Sequence, residues 1–193
     1  STRMGNESWR SIRYGNGMII VVDNFFDDRI FNAVYDEISR LEFNDVKVGA
    51  DNDGSWTAEE GIEYPGIRSQ VFYKHKPLLD EAIIRQLDST PTPFTAKAYN
   101  YYQYAHLRLE KDNDDDFIHT DNADWAYLIY MSKTNLESGT KFYTDDEKET
   151  NFVRFVQNRV VIFNSNIRHR AFNDHGKDIN DGRLTICGVC DYI

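Results

Sequence analysis

From residue 94 onward the chain is a succession of short apolar and aromatic runs broken by turn-forming residues: "FTAKAYNYYQYAHLRL", "FIHTD", "WAYLIYMS", "GTKFYT", "RVVIFN" and "RLTICGVCDY". Six such runs at close spacing predict an antiparallel sandwich or barrel. The 12 Tyr and 12 Phe among 193 residues agree, because aromatic side chains fill the half-buried faces of a pleated sheet.

The first half reads differently. "GMIIVVDNF" is a buried strand ending in a turn, and after it Phe31, Val34, Tyr35, Ile38 and Leu41 recur at helical spacing, with Asp27 or Asp28 as N-cap. A second amphipathic helix near 77 to 88 carries Leu78, Leu79, Ala82, Ile83 and Leu87 behind Pro77. Both helices are expected on the outside of one sheet. Residues 1 to 17 are polar and Gly-punctuated and read as a loose lead-in. The segment 44 to 66 is long and Gly-rich, carries Trp56, and reads either as a lid or as a plain surface insertion. The length fits one domain: an N-terminal strand, helices and loop (1 to 93) against a β core (94 to 193).

A formal net charge of -10 repels phosphate backbones, which argues against nucleic-acid substrates. The longest apolar stretch, "GMIIVV", is strand-sized, and no signal-peptide pattern opens the chain. The expectation is a soluble cytoplasmic protein with no membrane partner. Cys187 and Cys190 form a single C-x-x-C, but an offset of three on a strand puts the thiols on opposite faces. Two buried structural cysteines are therefore expected, and not a redox pair or half of a zinc site.

The chemistry centres on His119 and Asp121. Taken alone, His-x-Asp is weak evidence: five His and 32 acidic residues in 193 positions give roughly one His-x-acid by chance. On a strand, however, residues i and i+2 share a face, so the imidazole and the carboxylate point at the same spot. A third ligand from another strand would complete a 2-His-1-carboxylate facial triad, which binds Fe(II) and leaves coordination positions open. His169, directly after "RVVIFNSNI", is the candidate. His75 lies between two lysines, His175 in a Gly/Asp-rich turn, and His106 inside the Tyr-rich strand, so each fits less well. Further on, Arg183 and Thr185 open the last run, again as i and i+2, and together make a receptor for a carboxylate.

With "FIHTD", "YLIYMS", "ESGTKFY", "RVVIFNSNIRHRAF" and "RLT" in this order, the chain resembles the Fe(II)- and 2-oxoglutarate-dependent dioxygenases, and among them the prolyl 4-hydroxylase-like branch. The resemblance covers about residues 94 to 193, with "VVDNF" matching the usual N-terminal entry. It implies a mostly β fold with flanking helices (α+β), a double-stranded β-helix of the jelly-roll, cupin-like kind. It implies that His119, Asp121 and His169 ligate the iron, that Arg183 holds the distal carboxylate of 2-oxoglutarate with help from Thr185, and that Tyr130 reaches the same cosubstrate. Tyr104, with Tyr102 on the same face, is a further pocket candidate. A plain core role is the alternative for these tyrosines.

The chain also departs from the branch. Glu137 and Ser138 stand where two glycines are common, and "LEKDNDDD" lengthens the approach to His119. Lys177 lies nearer the spacing at which prolyl hydroxylases place their basic residue, but it falls in the turn-rich "NDHGKDINDG", so Arg183 is preferred. The implied reaction is hydroxylation of an unactivated C–H bond of a peptidyl or free amino acid, with O2 consumed, succinate and CO2 released, and ascorbate as a stimulant. An acidic ligand at position 121 fits hydroxylation better than halogenation. The acidic loop 112 to 116 and the pair Arg168 and Arg170 pull in opposite directions on the charge of a peptide or small-molecule substrate. Two other readings stand beside this one: a non-catalytic β-barrel binding or structural protein, and an oxidative demethylase of alkylated bases, which needs a basic groove. Neither the substrate nor the oligomeric state is fixed by these residues.

Overall fold

The computed structural model describes residues 9–14, 17–45, 47–48, 57–58 and 64–193. Its elements are β1 (Trp9–Tyr14), β2 (Gly17–Val22), α1 (Asp28–Ser39), β3 (Asn44–Asp45), β4 (Lys47–Val48), β5 (Thr57–Ala58), β6 (Ile67–Arg68), α2 (Phe72–His75), α3 (Pro77–Ser89), β7 (Tyr99–Arg108), β8 (Trp125–Tyr130), β9 (Asn135–Tyr143), β10 (Glu149–Phe155), β11 (Arg159–Asn164), β12 (Arg168–Phe172) and β13 (Arg183–Tyr192). Eight strands form one antiparallel sheet in the order β1-β2-β11-β8-β13-β7-β6-β3. A second antiparallel sheet has the order β10-β9-β12. β4 and β5 form a short parallel pair.

Strand alternation sorts the large sheet into two faces. Ala105, Leu107, Tyr127, Ile129, Val160, Ile162, Leu184 and Ile186 pack with Val34 and Ile38 of α1 and with Leu79, Ile83 and Leu87 of α3. This is the helix-on-one-face arrangement expected from the sequence, and each fully buried aliphatic contributes about 1.5–3 kcal/mol. The other face turns Ile19, Val21, Ala126, Tyr130, Val161 and Phe163 toward Phe142, Val153 and Phe155 of the small sheet and Ile167 beside it. The two sheets thus close on a second core, at one end of which the inward residues become polar.

Local signals account for the helices. Asp27 is the N-cap of α1, its Oδ1 accepting from the Ile30 N–H at 2.8 Å, and Pro77 occupies the first turn of α3. The cysteines separate as expected: Cys190 joins the helix-side core, whereas Cys187 lines the inter-sheet cavity.

Two expectations need correction, and one strand was not anticipated. Residues 9–14, read as part of a loose lead-in, form β1, which pairs along its whole length with β2. "FIHTD" is not a strand; it makes a single bridge, His119 to His169. "ETNFVRF" is strand β10, which its polar residues had hidden, because one face of the small sheet is turned to solvent. Most of the segment 44 to 66 considered as a lid lies outside the described residues.

Candidate metal centre

His169 is placed by β12, whose neighbour β9 pairs it with Phe142. The stretch carrying His119 runs antiparallel to it. The His119 N–H donates to the His169 carbonyl at 3.0 Å, the His169 N–H returns a bond to the His119 carbonyl at 2.8 Å, and the Asp121 N–H donates to the Ser165 carbonyl at 3.0 Å. These three backbone bonds hold a turn-flanked segment as if it were a strand. The imidazole rings consequently stand 4.5 Å apart, centroid to centroid.

The three ligand atoms converge within 4.8 Å of one another. Asp121 Oδ1 lies 3.9 Å from His119 Nε2, and Asp121 Oδ2 lies 3.5 Å from His169 Nε2. Each ring is oriented from behind: Nδ1 of His119 faces the Phe117 carbonyl at 3.1 Å, and Nδ1 of His169 faces the Ile167 carbonyl at 2.9 Å. A carbonyl can only accept, so Nδ1 carries the proton in both rings and Nε2 presents its lone pair to the shared centre. Burial pushes the His169 pKa down to about 4, against the opposing pull of Asp121 and with a smaller push from His119. A neutral imidazole is the form a metal needs. Two nitrogens and one carboxylate on one side of a shared centre are the donor set of a facial triad, which suits Fe(II) and other borderline divalent metals.

Arg183, Tyr104 and Cys187 line the same cavity as the three ligands. Arg183 is 3% exposed; its Nη2 lies 3.4 Å from the Gly139 carbonyl and 3.5 Å from Thr140 Oγ1, and its Nε lies 3.6 Å from Asp174 Oδ1. Thr185, on the same face of β13, is buried and lies in register between His106 of β7 and Tyr130 of β8. Arg183 Nε and Thr185 Oγ1 are buried without a hydrogen bond among the described residues. Arg183 is on the cavity wall and Thr185 is not among the residues that line it; an acceptor such as a carboxylate entering beside Arg183 would satisfy its Nε. The Tyr130 hydroxyl bonds Thr140 Oγ1 at 2.7 Å, and Thr140 in turn faces the cavity. Lys177 is exposed and lines a different surface depression with Leu109 and Glu110.

Several residues of the site had no sequence signal. Thr140 is an ordinary strand threonine in "GTKF". Arg108, Asp116 and Asp174 build a buried charge cluster whose members look, in the sequence, like solvated charges. Arg68 reaches the cavity from β6, with its guanidinium 4.7 Å from the Tyr64 ring centre and 4.8 Å from that of Tyr104. Cys187 sits beside them with its thiol pushed up to about 11, by burial above all, and so remains protonated and inert near neutral pH.

No family model matches the chain, and no curated protein matches it significantly in sequence. Solved structures do match in shape. A prolyl-4-hydroxylase from Pseudomonas putida superposes with a TM-score of 0.62 at 12% identity, over 97% of this chain and 94% of that one. An oxidoreductase of the 2OG-Fe(II) oxygenase family from Burkholderia pseudomallei gives 0.63 at 12% identity, over 90% and 84% of the two chains. HygX from Streptomyces hygroscopicus, crystallised with nickel, 2-oxoglutarate and hygromycin B, gives 0.60 at 10% identity, over 90% and 82%. The fold is therefore that of the 2-oxoglutarate oxygenases: an α+β double-stranded β-helix with its helices on one face.

Proposed function

We propose that this chain is an Fe(II)- and 2-oxoglutarate-dependent oxygenase that hydroxylates an unactivated C–H bond of a peptide or small amino-acid substrate. The observation that carries the reading is the convergence of His119 Nε2, His169 Nε2 and an Asp121 carboxylate oxygen within 4.8 Å, in a cavity that also contains the buried Arg183. Its alignment with oxygenases of the same fold supports it, among them the P. putida prolyl-4-hydroxylase and HygX, which was crystallised with hygromycin B bound. Among the described residues, no helix is long and apolar enough to cross a membrane.

The residues divide the work. His119, Asp121 and His169 would hold the metal on one side and leave its other side to ligands from the cavity. Arg183, with Thr185, would fix the far carboxylate of 2-oxoglutarate and so aim its other end at the metal; Tyr130 would act on this end through Thr140. Tyr104 and Phe117 line the cavity and would shield the reacting centre from water. Iron and 2-oxoglutarate, when bound, supply the oxidising power with O2, releasing succinate and CO2; ascorbate would keep the metal reduced.

The test is succinate release from 2-oxoglutarate by anaerobically purified protein with Fe(II) and ascorbate, beside Asp121→Ala. Wild-type turnover is expected even without substrate, and the variant should lose it together with metal affinity. The loss should be at least the ~10–100-fold typical of disturbing a ligand's outer partner. A wild-type protein that binds neither Fe(II) nor 2-oxoglutarate would leave only the reading of a non-catalytic binding protein.

A further inference from the structure

Arg108 closes β7 directly opposite Arg183 at the start of β13. Like charges facing each other on adjacent strands repel, and these two are buried, at 5% and 3% exposure. Asp174 answers both: its Oδ2 accepts from Arg108 Nε at 2.6 Å, and its Oδ1 lies 3.6 Å from Arg183 Nε. Asp174 follows His169 by five positions and is pinned through its backbone, its N–H donating to Asn113 Oδ1 at 2.7 Å and its carbonyl accepting from Asn113 Nδ2 at 2.8 Å. The far end of Arg108 reaches the opposite way, with Nη2 3.2 Å from Asp116 Oδ1, three positions before His119. One guanidinium therefore grips the chain entering the first histidine and the chain leaving the second, and it shares its Asp174 partner with the arginine of the anion subsite.

We propose that Arg108 is a positioning residue that ties the two histidine-bearing segments to each other and to Arg183, so that it sets the affinity for both metal and 2-oxoglutarate. This rests on the reading of the cavity given above. A buried charge cluster is a poor source of stability, since desolvation offsets most of its attraction; what a rigid guanidinium fork between two fixed carboxylates supplies is registry. The cluster also has spare capacity. Arg108 Nη2, which meets Asp116 as an ion pair and not through a hydrogen bond, and Arg183 Nε are both buried donors without a hydrogen bond among the described residues, so an anion arriving at Arg183 can be drawn into the network without displacing a bonded partner.

Arg108→Lys keeps the charge but not the fork, and Asp116→Asn, nearly isosteric, cuts only the arm toward His119. Co(II) affinity is read from the visible absorption of the bound ion, and 2-oxoglutarate affinity by calorimetry at saturating Co(II). Arg108→Lys is expected to weaken both by ~10-fold or more, the range found for outer partners of metal ligands, while Asp116→Asn weakens Co(II) binding and spares 2-oxoglutarate. A role confined to folding would lower the unfolding midpoint and leave the affinities of the folded protein unchanged; that result overturns the proposal. If Arg108→Lys does not fold, the Asp116→Asn titration decides alone, and wild-type Co(II) affinity there overturns it equally. Wild-type protein that binds Co(II) no better than Asp121→Ala would instead sink the metal-site reading itself.

Discussion

At the scale of single residues, Arg183 gives the sharpest expectation about the cosubstrate. It is buried, with Nη2 3.5 Å from Thr140 Oγ1, and its planar fork can bind a carboxylate through two parallel bonds. Arg183→Lys retains a charge but only a single point of contact, so 2-oxoglutarate affinity at saturating Co(II) should fall by about tenfold, or ~1.4 kcal/mol, with Co(II) affinity alone unchanged. Equal 2-oxoglutarate affinity in calorimetry would move the anion subsite elsewhere. The clustering of His119 and Asp121 and the shared face of Arg183 and Thr185 were legible in the sequence because i, i+2 pairs survive as shared faces, whether on a true strand (Arg183, Thr185) or on a segment held like one (His119, Asp121). Arg108, Asp116 and Asp174 were not legible. Their role comes from being brought together across β7, β13 and two loops, and an aspartate among 32 acidic residues announces nothing about whether it will be buried.

At the scale of elements, β13 is the central strand on which the site depends, since it pairs with β7 on one side and β8 on the other and carries Arg183, Thr185 and Cys187 inward. Its outward face requires a glycine at one point. A Cβ on Gly188 would stand 1.9 Å from the Tyr127 ring, and that ring is fully buried with its hydroxyl donating to Gln103 Oε1 at 2.7 Å. The ring cannot swing away without breaking this bond, so Gly188→Ala should cost about 1–3 kcal/mol, the usual range for overpacking, plus any lost hydrogen bond. A urea midpoint unchanged from wild type would show that the strand can shift to absorb the methyl group. The runs that became β7, β8, β9, β11 and β13 were recognisable from aromatic and β-branched residues at close spacing. β1 and β10 were less so, because half-exposed strands carry Arg, Ser, Glu and Asn and lose the apolar signature.

At the scale of the whole molecule, the buried histidines couple folding to pH. Burial lowers the pKa of His106 well below its ordinary value and that of His169 to about 4; the partly buried His175 moves the same way, also chiefly through burial. A depressed folded-state pKa means that, between the folded value and the ordinary ~6.5, the unfolded chain binds protons that the folded one refuses. Stability therefore rises with pH across that window, is fully present above ~6.5, and is lost as the solution is acidified, by up to about 1.4 kcal/mol per pH unit for each fully buried histidine. Asp80 and Asp116 act in the opposite sense: burial raises their pKa, so the folded state gains protons before the unfolded one as pH falls toward the carboxylate range. Because these carboxylates oppose the histidines, the histidine contribution is read from the difference between wild type and a variant lacking one buried ring. Urea unfolding of the metal-free protein at pH 5, 6 and 7 should therefore show a midpoint that falls steadily with acidification, with the slope reduced in His106→Gln. Wherever a metal binds His169, it competes with a proton that the burial has already weakened, so metal should stabilise the fold through mass action down to lower pH than at an exposed histidine site. A slope unchanged in His106→Gln would mean that the His106 ring gains its proton in the folded state, and hence that its surroundings are far wetter than their burial implies.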